Sequence, residues 1–325
     1  GLPEPTRSGT SNNFDSLPRR QDYNDKFDLK FDQQINSATT AFIRFSNRDA
    51  DNFEPPPIPG DTSSPSNAYV DILNQQVAGG VTRTLGLSSL FEVRSGVSRT
   101  KAGKTALGTG SPNMYEAYGI TGLPTDTVFA GGLTQQSVSG WTAWGRQNSN
   151  PQFQDPLVID ARVNYTWMRG RHTLKAGYEY QHINTDIDDV NPKYGADGYS
   201  GQFSRPTGAA ADAATFNLVD FLFGARNTYS LVNPFVFELR QRMHFGYLQD
   251  DWRVSPNLTF NLGLRYELGT PQWENSNYLT NFDPATSSLR QATDGSVSDR
   301  ALVNTDTNNF APRVGVAYSL TPKTV

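Results

Sequence analysis

The chain has 325 residues, with 28 Lys+Arg against 32 Asp+Glu, and its net charge of −4 offers nothing to a nucleic acid. Apolar residues make 36% and charged ones 18%, and Cys is absent, which removes thiol chemistry, thiolate metal sites and a disulfide framework together. Aromatics reach 12%, too many for a disordered chain, while no run of about 18 apolar residues exists to form a transmembrane helix.

A membrane β-strand needs only about 9 to 11 residues of alternating character, and alternation is the dominant pattern here. Phe27, Leu29 and Phe31 alternate with Lys26, Asp28, Lys30 and Asp32; Ala41, Ile43 and Phe45 alternate with Phe42, Arg44 and Ser46. Residues 67–85 give a strand diluted by Gly79 and Gly80, and Phe91, Val93 and Val97 oppose Glu92, Arg94 and Ser98. From Leu157 to Trp167 the residues Leu157, Ile159, Ala161, Val163, Tyr165 and Trp167 form one face, opposite Asp160, Arg162 and Asn164. Leu174, Ala176, Tyr178 and Tyr180 then alternate with Lys175, Gly177, Glu179 and Gln181.

The run Ala209 to Gly224 is the one place where a helix is plausible, as a loop packing element that Gly224 would end. A long strand follows over 229–254, with apolar parity through Met243, Phe245 and Tyr247 that changes at Trp252 and Val254. A bulge near Gln249 to Asp251, or departure from the membrane, accounts for the change. In 258–268 the residues Leu258, Phe260, Leu262, Leu264, Tyr266 and Leu268 face away from Asn261, Arg265 and Glu267. In the last strand Phe310, Val314, Val316 and Tyr318 oppose Ala311, Arg313 and Gly315.

The gaps between these nine strands alternate without exception. Short ones fall at 35–38, 86–88, 169–171 and 255–257, and long ones at 50–66, 101–155, 185–228, 271–309 and from 321 onward. An outer-membrane barrel places short turns in the periplasm and long loops outside. The expected fold is therefore all-β, an antiparallel up-and-down transmembrane barrel present as about nine or ten strands. On this reading Ile159, Val163, Tyr178, Leu262, Leu264 and Val316 face lipid, and Arg162, Glu179, Arg265, Glu267 and Arg313 line the lumen. Tyr165 and Trp167 before the Arg169 turn, and Trp252 before the Ser255 turn, form an interfacial girdle.

Register follows from parity. Lipid-facing residues are odd before the Arg169 turn and even after it, so opposed residues have odd sums. A sum of 341 closes a short turn, setting Tyr165 opposite Ala176, Val163 opposite Tyr178 and Arg162 opposite Glu179.

The sequence from Phe245 through Asp250-Asp251-Trp252-Arg253-Val254-Ser255-Pro256-Asn257 to Glu267 resembles the barrel of TonB-dependent outer-membrane receptors, in particular the Oar-like group. Leu279 to Pro284, Asn308 to Gly315, Gly119 to Pro124 and Leu218 to Gly224 resemble the same group. The resemblance implies a segment of a roughly 22-stranded barrel, and with it a plug moved by the TonB complex and a ligand passed across the outer membrane of a Gram-negative bacterium. No plug, TonB box, initiator Met or signal peptide is recognisable, so the chain reads as an internal or mature piece without the plug and the N-terminal regulatory-like domain. The ligand stays open between a siderophore, another small molecule, an oligosaccharide and a peptide. Rival readings are a passive porin-like or adhesive barrel and a secreted carbohydrate-binding β-sandwich.

Catalytic and cofactor signals are missing. No GxSxG or P-loop occurs, and His172, His182 and His244 are scattered without ligand spacing, so neither an enzyme nor a bound cofactor is expected. Asp186, Asp188 and Asp189 are hard oxygen ligands that suit Ca²⁺, but the glycine and terminal glutamate of an EF-hand loop are missing and simple solvation outweighs it.

Overall fold

The computed structural model describes residues 3–9, 12–59, 64–210 and 214–320. Nine long strands follow one another in space as they do in sequence: β1 (Gln21–Asn36), β2 (Thr39–Glu54), β3 (Ala68–Leu85), β4 (Ser89–Thr105), β6 (Gln152–Arg169), β7 (His172–Asp188), β10 (Phe237–Ser255), β11 (Leu258–Gly269) and β15 (Phe310–Tyr318). Every neighbouring pair on this path is antiparallel, as an up-and-down meander requires. The shorter elements are α1 (Met114–Tyr118), β5 (Gln135–Val138), β8 (Ala196–Tyr199), α2 (Ala214–Leu222), β9 (Thr228–Ser230), β12 (Trp273–Glu274), β13 (Thr280–Asp283), β14 (Ser288–Gln291) and α3 (Val297–Ala301). β12 pairs with β10, and all the others lie in the long connections. The sheet stays open, with β1 and β15 at its two edges.

The short turns sit where turn chemistry allows them. Gly170 takes a φ of 62° and Gly86 a φ of 66°, left-handed values that glycine adopts without a Cβ penalty. At the β1–β2 turn the Asn36 side chain accepts from the backbone N–H of Ala38 at 2.9 Å. Eight of the nine long strands exceed the ~10 residues a bilayer needs: β2, for example, has 16 and β10 has 19, whereas β15 has 9, and the extra length makes the connections shorter than expected. The last expected gap, from 321, lies outside the described residues, as do 211–213 of the expected helix, which among the described residues forms α2.

The β6–β7 register has the sum of 341: Arg162 opposes Glu179, Val163 opposes Tyr178 and Tyr165 opposes Ala176. Following the ladders across the sheet places Phe31, Ile43, Val81, Val93, Val163, Tyr178, Leu248, Leu264 and Val314 on one face. These side chains are solvent-exposed to an unusual degree, Phe31 by 61% and Val314 by 74%. No helix or second sheet packs against either face among the described elements. Nine strands at about 4.8 Å spacing and a band roughly 25 Å tall give an apolar face on the order of 1,000 Å², beyond what a soluble monomer carries. A β-sandwich, which buries that face against a second layer, is thereby excluded.

Two expectations for the long strand are corrected. Residues 228–230 form β9 in a separate small sheet, so the sheet strand begins at Phe237. There is also no bulge at Gln249 to Asp251: both neighbours pair without a break there, and the register slips only between Arg253 and Ser255. Met243, Phe245 and Tyr247 therefore share the polar face with Glu179 and Arg265, and Leu248 and Trp252 lie on the apolar face. Polar partners accommodate the two aromatics, because the Arg265 guanidinium lies 5.9 Å from the Phe245 ring and the Tyr247 hydroxyl donates to Asn164 Oδ1 at 3.0 Å.

Candidate functional site

Side chains on the polar face are joined into a ladder of charge. Arg162 reaches Asp160 at 3.0 Å and Glu179 at 3.6 Å, Lys175 reaches Asp251 at 3.1 Å, and Arg44 reaches Asp28 at 2.8 Å. Arg265 Nε and Glu267 Oε1 lie 2.6 Å apart, two residues along β11, and Arg313 opposes Gly263 on the next strand. All five residues expected to line a lumen thus share this face. Arg162, Glu179, Arg265 and Arg313 surround one concave recess of about 600 Å³, together with Phe245 and Tyr247. Gly177 leaves the space that the Tyr247 ring fills, since a Cβ there would lie 2.2 Å from that ring.

The six residues expected to meet lipid lie on the opposite face, together with the three girdle aromatics. Trp252 stacks on His172 with ring centroids 5.4 Å apart and leans on Phe260 at 6.0 Å. Arg169 lies over the Trp167 ring at 5.3 Å, and the Tyr165 hydroxyl donates to Ser89 Oγ. These contacts cluster at the short-turn end. Farther up the same face, Tyr178 bonds His244 Nδ1 at 2.6 Å and the Tyr180 ring lies 5.1 Å from that of His244.

The aspartates weighed as weak calcium candidates do not form a metal-ligating group. Asp186 is taken by Arg240 at 2.8 Å, Asp188 by Lys193 at 2.6 Å, and Asp189 accepts from the Gln152 amide. Each carboxylate is committed to a different partner, and no group of three metal-ligating residues occurs among the described residues.

What the sequence reading missed is a folded module made by the two longest loops. β5, from residues 106–151, pairs in parallel with β8, from 189–236, and β8 pairs with β9. Met114, Ala130 and Tyr194 form a buried cluster packed by Leu123 and Leu133. Arg146 is buried, donates to the carbonyls of Gly131 and Asn150 at 3.0 Å each, and lies 4.9 Å from the Tyr194 ring. Its burial pushes the guanidinium pKa down to about 10. Asp197 accepts from Arg226 Nη1 at 2.8 Å and Gln136 Nε2 at 2.9 Å, and Tyr199 donates to Gln136 Oε1 at 3.0 Å. Asp220 on α2 accepts the backbone N–H groups of Phe203 and Ser204. Burial alone would raise its pKa, and the hydrogen bonds from Ser204 and Phe203 outweigh that and hold the carboxyl below its ordinary range. The available signal was the density of Trp and Tyr in segments otherwise rich in Gly, Pro and Ser.

The family model of the outer membrane beta barrel domain matches residues 1–325. The chain belongs to that family. The barrel accordingly lies in a bacterial outer membrane, and its open sheet is a partial wall. Among solved structures it is similar to P. aeruginosa FpvA bound to heterologous pyoverdines, with TM-score 0.51 and 10% identity over 93% of this chain and 34% of that one. Looser likenesses are the outer membrane transporter YddB from Escherichia coli (TM-score 0.48, 10% identity, 93% of this chain and 30% of that) and the siderophore receptor PiuA from Acinetobacter baumannii (0.48, 11%, 97% and 42%). The barrel segment thus spans about a third of the FpvA chain. No curated protein sequence matches it.

Proposed function

We propose that this chain supplies part of the wall and outer loops of a TonB-dependent outer-membrane transporter. The observation that carries the reading is a single sheet with one largely apolar face, broken by Asp250 beside His172, one face laddered with ion pairs, and every long loop at one end. The apolar face, with Ile159, Val163, Tyr178, Leu262, Leu264 and Val316, meets lipid; Arg162, Glu179, Arg265, Glu267 and Arg313 line the lumen. With about 3.3 Å rise and a tilt near 40°, each residue adds roughly 2.5 Å of height. Tyr178 opposes Gly246, six residues along β10 from Trp252, and His182 opposes Arg242, ten along. Two aromatic levels about 15 to 25 Å apart then bracket Leu174, Leu248 and Leu264, as the girdles of a membrane barrel do.

The free edges of β1 and β15 pair with further strands of the same barrel, whose lumen holds a plug. Ligand enters through the folded loop module and leaves when TonB moves that plug. The charged recess is part of the wall that faces it. The test is uptake by cells carrying the full receptor, compared with and without TonB. Loss of accumulation without TonB supports the transporter, and equal flux in both strains overturns it in favour of a passive pore.

A further inference from the structure

Two of the segments singled out in the sequence, Gly119 to Pro124 and Leu218 to Gly224, converge on one cavity of about 460 Å³ inside the loop module. Its size suits a small organic molecule. Trp144, Tyr199 and Phe221 build one wall, with Trp144 and Tyr199 each edge-on to Phe221 at 5.0 and 5.2 Å. Leu123 and Leu133 add apolar surface.

The polar inventory of the cavity is one-sided. Asp197 spends one oxygen on Arg226 and the other on Gln136 and Thr134, while Gln136 Oε1 is taken by Tyr199. Its carboxylate and amide acceptors are therefore occupied. Its donors are not: Nε and Nη2 of Arg226, the indole N–H of Trp144 and the hydroxyl of Tyr229 meet no acceptor among the described residues. The Arg226 guanidinium lies over the Tyr229 ring at 4.3 Å, Asp197 takes only its Nη1, and the side chain is half-exposed, so Nε and Nη2 are accessible. Burial and the nearby Asp197 carboxylate raise the pKa of Tyr229, so its hydroxyl stays a donor at neutral pH.

We propose that this cavity binds a carboxylate carried on an apolar or aromatic body. The carboxylate docks on the free edge of Arg226 as a bidentate pair, and the body lies against Trp144 and Phe221. The assignment deepens the reading of the loops as the ligand-receiving end and rests on it. Two sources share this chemistry, a small aromatic acid and the C-terminus of a peptide ending in an apolar residue.

The test is calorimetry on the full receptor in detergent, titrating 2-naphthoate, 2-naphthamide, an acetylated tripeptide ending in Phe, and its C-terminal amide. At least one acid should bind about 10- to 100-fold more tightly than its amide, and which acid does so identifies the source. Arg226→Gln should abolish the preference. Because that change also frees Asp197, Trp144→Phe serves as the second variant: it keeps the Arg226 pair and the ring, removes one donor, and should weaken the acid about 5- to 10-fold. Acids and amides that titrate alike, or a preference that survives Arg226→Gln, overturn the assignment. Calorimetry needs no TonB, so an acid bound through Arg226 but accumulated equally with and without TonB refutes the transporter and leaves the cavity's chemistry standing.

Discussion

Placing an arginine on each face of β11 tests the membrane assignment. Leu264 opposes Leu248 and Pro312 on the apolar face, four residues along β10 from Trp252. At roughly 2.5 Å of height per residue, that is about 10 Å above the lower girdle, near the middle of a band about 25 Å tall. Leu264→Arg should therefore cost about 2 to 4 kcal/mol. Leu262 opposes Asp250, two residues above Trp252, or about 5 Å up, so Leu262→Arg should cost less, between about 1 and 2 kcal/mol. Asn261 is on the polar face opposite Asp251 and Gly315, and Asn261→Arg should cost under about 1 kcal/mol. Reversible urea unfolding of the receptor in phospholipid vesicles, followed by tryptophan fluorescence, measures all three. Equal costs for Leu264→Arg and Asn261→Arg would refute the face assignment, and a larger cost at Leu262 than at Leu264 would refute the placement of the girdles.

Four further outcomes are expected. A double-mutant cycle on Arg162→Ala and Glu179→Gln should give a coupling of about 0.2 to 1 kcal/mol, modest because the pair is half-exposed at 3.6 Å; a coupling of zero would mean the ion pair is idle. Protease added to intact cells should cut within 106–151, 189–236 and 270–309, and the Gly170 turn only after permeabilisation, so a cut at Gly170 in sealed cells would invert the topology. Gly145 has a φ of 85° and a Cβ there would lie 2.1 Å from the Thr134 carbonyl oxygen, so Gly145→Ala should destabilise the loop module by about 2 kcal/mol or more, read as faster proteolysis of 106–151. The depressed pKa of Asp220 stabilises the module at every pH above the unfolded value near ~3.9 and fades as pH falls through the folded value; amide protection factors at Phe203 and Ser204, corrected for the intrinsic pH dependence of exchange, should be flat from neutral pH to about 5 and fall below about 4, and Asp220→Asn should remove that acid dependence.

The sheet was legible because its two determinants are local. Strict alternation names the faces, and a two-residue turn leaves one register in which Arg162 meets Glu179. Where alternation misled, at Met243, Phe245 and Tyr247, composition could not reveal that an apolar side chain had polar partners: Asn164 lies 83 residues from Tyr247, and Arg265, on the next strand, meets Phe245 only through the pairing register. The loop module was illegible for the same reason in a stronger form. Its strands run three or four residues, too short to show a period, and the β5–β8 pair joins positions about 60 residues apart. Its core, Met114 with Ala130 and Tyr194, exists only once both loops are in place.

That division of labour explains where the chain keeps its stability. The sheet carries no protein core among the described elements, so on the proposed reading lipid satisfies its apolar face, while ion pairs satisfy its polar face. Buried residues such as Ala130, Tyr194, Lys193 and Asp220 are concentrated instead in the outer loops, where an aqueous setting lets ordinary hydrophobic burial act. Lys193, on the 189–236 loop, ties the other loop's Pro151 carbonyl to Asp188 at the top of β7 with two contacts of 2.6 Å. The loop module is thereby fastened to β7, and in the proposed binding of a carboxylate that tie holds the cavity's donors in place before the ligand arrives.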